Sequence, residues 1–352
     1  QDPRKGPWQA LQDDATLQQR FDELDAALAA LDQALEPLAA RGKGLESCAR
    51  RCRDQRERLG LITVPGAQYV HWFETFKRSF ALHRTPMDIG DTFRDFMAGH
   101  KQAWIFTSAT LAVDGDFGHF RDRLGLADAT ARCWDSPFDY SRASVLYVPN
   151  GLPQPNEPGY VDAVVEAAIP VLEASQGRAF MLFTSRRALQ RADELLESRL
   201  DYPILVQGSM PRSRLLERFR SLGNAVLLGT ASFWEGVDVR GEALSCVIID
   251  KLPFAAPEDP VLKARLGAIR EAGGDPFFEH QLPSAVIALR QGVGRLIRDQ
   301  ADRGALMLCD PRLISRSYGR TFLNSLPPMT KTRRLEVVQR FFDYHARAGE
   351  TA

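Results

Sequence analysis

A membrane-length apolar run, an even set of cysteines, an excess of either charge and a start-like N-terminus are all missing from this chain of 352 residues. No stretch approaches the roughly 20 apolar residues that a helix needs to cross a bilayer, so a helical membrane protein is excluded and no membrane partner is expected. Five cysteines form an odd, irregularly spaced set. That is no disulfide framework; it fits free thiols in a reduced, cytoplasmic compartment. With 45 basic residues against 45 acidic ones the formal net charge is zero. The whole molecule exerts no strong pull on phosphate, and any nucleic-acid contact must come from a local basic track. Gln1-Asp2-Pro3 offers neither an initiator Met nor the basic-then-apolar pattern of a secretory signal, and reads as an internal cut in a longer protein. What remains is 44% hydrophobic and 26% charged, the balance of a soluble globular protein long enough for two packed units.

Leu17, Phe21, Leu24, Leu28, Leu31, Leu35 and Leu38 recur at alternating spacings of four and three, one stripe of a long helix that Pro37 should kink or end. After Gly42-Lys43-Gly44, a second stripe of Leu45, Cys48, Cys52 and Leu59 predicts an antiparallel helical hairpin. The first arm is acidic (Asp22, Glu23, Asp25, Asp32) and the second basic (Arg50, Arg51, Arg53, Arg56, Arg58). Either the arms pair with each other, or the basic stripe faces DNA.

From about residue 68 short β-prone runs alternate with amphipathic helices, which predicts an α/β unit whose parallel sheet carries helices on both faces. Strands are expected at 104–106, 144–149, 178–184, 202–206, 225–229, 244–250 and 304–310, and helices at 160–174, 186–199, 212–221, 260–272 and 283–298. The proline-rich stretch 150–159 reads as a flexible connector. The expected division is a helical insert over 1–100 and one α/β domain over 101–352. Strand order cannot be read from one sequence.

In open α/β sheets ligands gather at the carboxyl ends of the strands. Thr107-Ser108-Ala109-Thr110-Leu111 and Thr184-Ser185-Arg186-Arg187 each follow a predicted strand, where they either cap the next helix or meet a ligand. Phe233-Trp234-Glu235-Gly236-Val237-Asp238 puts two carboxylates and two large aromatics in one turn, suited to a basic neighbour and a stacked base. In Gln291-Gly292-Val293-Gly294-Arg295-Leu296-Ile297-Arg298, the two arginines lie three apart on a predicted helix that its glycines weaken. Such a pair is either a solvated face or an anion site.

The succession TSATL (107–111), LFTSRRAL (182–189), GTASFWEGVDVRG (229–241), DKLPF (250–254) and QGVGRLIR (291–298) resembles motifs III to VI of XPD-like superfamily 2 DNA helicases of the bacterial DinG/YoaA type. The resemblance implies a RecA-like fold, with the N-terminal hairpin as the family's arch insert. It also implies an ATP-dependent DNA helicase that translocates on single-stranded DNA and unwinds duplexes in repair or replication. Arg295 and Arg298, with Gln291, would then face the γ-phosphate, where fixed positive charge and guanidinium geometry suit phosphoryl transfer. Glu235, Gly236, Asp238, Ser108 and Thr110 would couple nucleotide to movement. Thr184, Ser185, Arg186, Ser232 and Trp234 would line the DNA track.

The same resemblance marks what this stretch lacks. No G-x-x-x-x-G-K-[ST] loop and no strand-end DEAH box occur, so ATP and Mg2+ should be held mainly by a preceding lobe. The isolated stretch should be inactive. The family's 4Fe-4S cluster is likewise expected upstream, with no metal site here. Expected partners are single-stranded and forked DNA and the χ subunit of the replicative polymerase, acting on a monomer. The rival reading is a non-catalytic module that binds DNA or a replisome protein.

Overall fold

The computed structural model describes residues 4–64, 66–230, 233 and 243–349, which fall into two compact units. The first comprises residues up to Trp104 with Asp122–Ala127 and Ala255–Glu279; the second holds Ile105–Arg121, Asp128–Phe254 and everything from His280 onward.

In the first unit the hairpin forms as its stripes predict, with arms Ala15–Leu35 and Lys43–Thr63. Asp14 caps the first arm by accepting from the Leu17 amide, and Pro37 falls in the 3-10 turn Glu36–Arg41 that ends it. The charged arms pair: Arg56 with Asp25 at 2.9 Å and Arg53 with Asp32 at 3.3 Å. These exposed pairs set register more than stability. The stripes are corrected in part: Leu24, Leu31 and Leu45 are exposed. Cys52 is buried, its thiol donating to the Leu28 carbonyl, but Cys48 is exposed and Ala49 takes the inward position.

The base of the hairpin meets a small antiparallel sheet of β1 (Lys5–Pro7), β2 (Tyr69–Thr75) and β3 (Phe80–Pro86), in that order. This sheet corrects the expectation that everything after residue 68 feeds a parallel sheet. His71 seals the join, its Nδ1 lying 2.7 Å from the Ile62 carbonyl at the end of the second arm.

The second unit carries a seven-stranded, wholly parallel sheet. Its strands are β4 (Ser144–Tyr147), β5 (Ala179–Phe183), β6 (Ile204–Val206), β7 (Val226–Thr230), β8 (Cys246–Ile249), β9 (Gly304–Leu308) and β10 (Thr330–Thr332). Their order is β10-β4-β9-β8-β5-β7-β6. Every residue of β5, β8 and β9 is buried, as continuous apolar strings require when helices cover both faces. On one face Met181, Phe183, Ile248 and Met307 pack under helices Tyr160–Ala174, Arg186–Leu196 and Leu335–Gly349. On the other, Phe180 meets Phe219 of helix Arg212–Leu222, with ring centroids 4.8 Å apart. The fold class is thus α/β, RecA-like, with an N-terminal helical hairpin.

Three expectations change. Residues 104–106 form no strand, and Ile105 is 84% exposed. β-prone residues hold an extended conformation only where a neighbouring strand and a packed face support them, and no described strand pairs with these. The stretch 150–159 is not a connector between bodies: it lies within the second unit, Leu152 packs on its core, and the Asn150 amide donates to the Arg333 carbonyl at 3.1 Å. Finally, the helix expected at 283–298 runs only over Leu282–Val293. Gly294 caps it, a tight turn follows, and Leu296 and Ile297 are driven into the core.

Candidate functional site

The residues that follow β5, β8 and β9 are knotted together. Asp250 follows β8 and is 2% exposed. Its Oδ1 accepts from the Thr184 amide at 3.1 Å and the Lys251 amide at 2.7 Å, while Oδ2 lies 3.4 Å from the Thr184 hydroxyl. The Tyr160 hydroxyl donates to the Asp250 carbonyl at 2.6 Å. Asp310, after β9 and 1% exposed, accepts from the Leu252 amide at 2.9 Å and grips Arg312 in a two-pronged ion pair, Nη2 to Oδ2 at 2.6 Å. The Arg312 guanidinium in turn lies 5.4 Å from the centroid of the Phe254 ring. The turn Asp250–Phe254 is therefore held by two buried carboxylates, Asp250 at its start and Asp310 at Leu252.

Burial pushes the Asp250 carboxyl up to about 7, against the Lys251 charge and the amide bonds that favour ionisation. An acid whose folded pKa stands above its unfolded one contributes stability that is full below about pH 4 and is lost as pH rises through about 7. Asp250→Asn keeps an acceptor for the two amides and a donor for the Thr184 hydroxyl. It should flatten that slope, so that urea unfolding at pH 5 and pH 8 gives nearly the same stability in the variant while the parent protein weakens at pH 8. A parent protein with no decline between those values would contradict this.

Of the three residues expected from the sequence to line a DNA track at this point, Thr184 is thus engaged by Asp250, and Ser185 is the N-cap of helix Arg186–Leu196, its Oγ accepting from the Ala188 amide at 3.2 Å. Arg186 and Arg187 are exposed on the first turn of that helix. Ser232, Trp234, Glu235, Gly236 and Asp238 lie outside the described residues. Their neighbour Phe233 is buried, with the Arg212 guanidinium 5.2 Å from its ring centroid. Beside it opens a cavity of about 280 Å³ lined by Gln207, Gly208, Met210, Arg212 and Leu215. Gln207 also orders the end of β7, its Oε1 accepting from the Thr230 amide at 2.6 Å.

Arg295 and Arg298 follow the end of helix Leu282–Val293, in the segment that leads to the amino end of β9, so they do not share a helix face as their spacing suggested. Both are partly buried, as is Gln291 in the helix's last turn. The Arg298 and Asp299 amides both donate to Asp302 Oδ2, at 2.8 and 2.9 Å, which fixes the backbone where the second arginine emerges. Burial lowers the Arg298 pKa from its ordinary value, with Asp302 opposing and Arg220 adding to the fall. Arg220 lies in the last turn of helix Arg212–Leu222, so a second cation stands near this segment. The motif therefore sits at the opposite end of the strands from the Asp250 and Asp310 knot.

Ser108 and Thr110 form a local turn, their hydroxyls 3.2 Å apart and the Thr110 amide donating to Ser108 Oγ. This turn caps no helix. Among the described residues no group of three or more His, Cys, Asp or Glu side chains is placed to hold a metal ion, and no helix is long and apolar enough to cross a membrane. Sequence reasoning assigned no role to Asp250, Asp310, Tyr160 or Arg290. The signal for the first two was present: two fully apolar strings, VIID and LMLCD, each end in an aspartate that the sheet was bound to bury or pair.

Residues 169–329 match the helicase C-terminal domain family. The ATP-dependent DNA helicase YoaA of Escherichia coli K12 is 50% identical over 289 residues, which are 82% of this chain and 45% of that protein. YoaA of Haemophilus influenzae is 44% identical over 340 residues, 96% of this chain and 53% of its own length. The ATP-dependent helicase DinG of Mycobacterium tuberculosis is 38% identical over 252 residues, 70% of this chain and 38% of its own length. The chain thus spans about half the length of the YoaA proteins it matches. Among solved structures, apo XPD aligns with a TM-score of 0.58 at 16% identity, covering 84% of this chain and 60% of that one. Xpd4 of S. tokodaii aligns with 0.51 at 15%, covering 78% and 52%; at such identities the likeness is one of fold. Ordered motifs, parallel sheet and sequence identity together place the chain in the XPD-like helicase family, in its DinG/YoaA branch, whose helicase C-terminal domain it carries.

Proposed function

We propose that this chain is the second motor half of an ATP-dependent DNA helicase that couples hydrolysis to translocation on single-stranded DNA and to duplex separation. The observation that carries the reading is the segment after Val293: a glycine ends a buried helix, and two partly buried arginines follow on a backbone fixed by Asp302. Partly desolvated guanidinium groups of that kind suit the charge that builds on a transferring phosphoryl group. Arg295 and Arg298 would take the γ-phosphate oxygens, with Gln291 beside them. Magnesium, which neutralises phosphate charge when bound, finds no ligand set among the described residues and would be held by the half of the relatives that this chain does not span. Arg186 and Arg187 would meet the DNA backbone, on a segment whose geometry Asp250 sets through Thr184.

The chain alone should hydrolyse ATP no faster than background, with or without DNA, because it has no phosphate-cradling loop. It should bind single-stranded DNA weakly and with steep salt dependence. Joined to the half that precedes it in the relatives, it should become a DNA-stimulated ATPase. Robust turnover by the chain alone, or an inert full-length protein, would overturn the reading.

A further inference from the structure

Arg290 occupies the last turn of helix Leu282–Val293, one residue before Gln291. Its guanidinium reaches a segment distant in sequence. One terminal nitrogen donates to the Ala112 carbonyl at 2.5 Å and the other to the Ala109 carbonyl at 2.6 Å, acceptors 178 and 181 residues away in sequence. Burial holds its pKa below the ordinary value, and the groups acting the other way are Cys133 and Tyr140. No ion pair with a carboxylate accompanies it among the described residues. Burying half of a cation against two neutral carbonyls is a costly way to make a packing contact, since an apolar side chain of similar volume would avoid the desolvation.

The acceptors follow a stretch without regular secondary structure, in which Phe106 packs edge-on against Phe120 with ring centroids 6.0 Å apart. Residues 103–108 carry no regular structure, Ile105 is 84% exposed, and Ser108 and Thr110 bond mainly to each other. Beyond Ala112 the Val113 amide donates to the Asp116 carbonyl at 2.8 Å and the Asp114 amide to Ser325 Oγ at 3.0 Å, around a tight turn with Asp114 and Gly115 at positive φ. The Arg290 fork grips both ends of residues 109–112. A rigid, planar fork reaching two carbonyls three residues apart transmits displacement and rotation, which a single flexible donor would not.

We infer that Arg290 is a positioning residue that binds the Ser108–Thr110 turn to the helix bearing Gln291 and leading to Arg295 and Arg298, so that the two segments move as one. The mechanical part rests on the bonds above; its role in coupling hydrolysis to DNA movement rests on the helicase reading. Two readouts separate them. In this chain, Arg290→Gln should speed amide exchange at Val113 and Asp114 by about tenfold, the effect of losing a bond or two, while β5, β8 and β9 stay protected. In the full-length protein the same change should leave DNA-stimulated hydrolysis within about threefold yet cut base pairs opened per ATP by about tenfold, the upper range for coupling substitutions. Arg290→Lys, which keeps a charge that can reach one carbonyl, should recover part of that ratio.

Unchanged exchange at 113–114 would overturn the mechanical link. A ratio equal to the parent's, or hydrolysis and opening falling in step, would overturn the coupling role while leaving the helicase reading intact. A parent full-length protein with no DNA-dependent hydrolysis would overturn the helicase reading and the coupling role together, whatever the exchange result.

Discussion

Arg312→Ala is expected to lower the unfolding free energy of the parallel-sheet unit by about 3–5 kcal/mol, the cost of leaving a buried carboxylate without its partner. Asp310 is 1% exposed, directly after the fully buried strand β9. Its two oxygens are shared among the Leu252 amide, the Arg312 amide and the Arg312 guanidinium. Removing the guanidinium leaves the two amide bonds but no opposite charge. A domain of this size loses roughly 2–4 °C of melting temperature per kcal/mol, so the variant should melt roughly 6–20 °C lower. The companion test separates charge from packing. Asp310→Asn combined with Arg312→Met keeps an acceptor for the Leu252 amide and an apolar contact for Phe254, and it should regain most of the loss, because an ion pair replaced whole is far less costly than one broken. A single Arg312→Ala change that costs under about 1 kcal/mol would show that water reaches Asp310 and that the turn Asp250–Phe254 is held by something else.

The pair was visible in the sequence only as an aspartate and an arginine two residues apart, a spacing that usually means nothing. Burial gave it meaning, and burial depends on strand order. β9 lies between β4 and β8, so its end is walled by neighbours on both sides. The sheet itself was legible because its strands are apolar throughout, a pattern that solvated strands cannot show. Edges were less so. β10 is three residues, Thr330–Thr332, polar and on the rim, and nothing in its composition distinguishes it from a loop. The opposite error occurred at Trp104-Ile105-Phe106, where high β propensity met no partner strand among the described residues.

The candidate site divides in the same way. Motif order pointed to Arg295, Arg298, Gln291, Thr184 and Ser185, and the structure adds what order cannot carry: which of these side chains are already engaged. Thr184 and Ser185 spend their polar groups on Asp250 and on a helix cap. That leaves the exposed guanidinium groups of Arg186 and Arg187 as the part of this segment able to meet a phosphate backbone. The helix expected through residue 298 failed for a local reason. Gly292 and Gly294 make continuation costly, and turning inward buries Leu296 and Ile297, at 2% and 4% exposure. The arginines are thereby carried off the helix and onto a turn whose backbone Asp302 holds.

That turn gives the second large effect. In the full-length protein, Arg298→Lys is expected to reduce ATP turnover by about a thousandfold, the lower end for arginines that stabilise a phosphoryl-transfer transition state. The Arg298 amide is fixed by Asp302 Oδ2 at 2.8 Å and the side chain is partly buried, so the guanidinium is presented from a set backbone rather than from a flexible stem. Lysine keeps the charge but loses the planar fork, and a contact that needs two parallel bonds fails although the electrostatic attraction remains. Folding should be spared, because the Asp302 bonds are made to backbone amides that every residue but proline supplies. Binding of single-stranded DNA in the absence of nucleotide should change less than about threefold, since the exposed cations of Arg186 and Arg187 lie on a different segment. Steady-state hydrolysis and DNA titrations on the same preparation decide the matter. Normal hydrolysis with lost DNA binding would assign Arg298 to the DNA track, and the turn after Val293 would then face nucleic acid rather than the γ-phosphate.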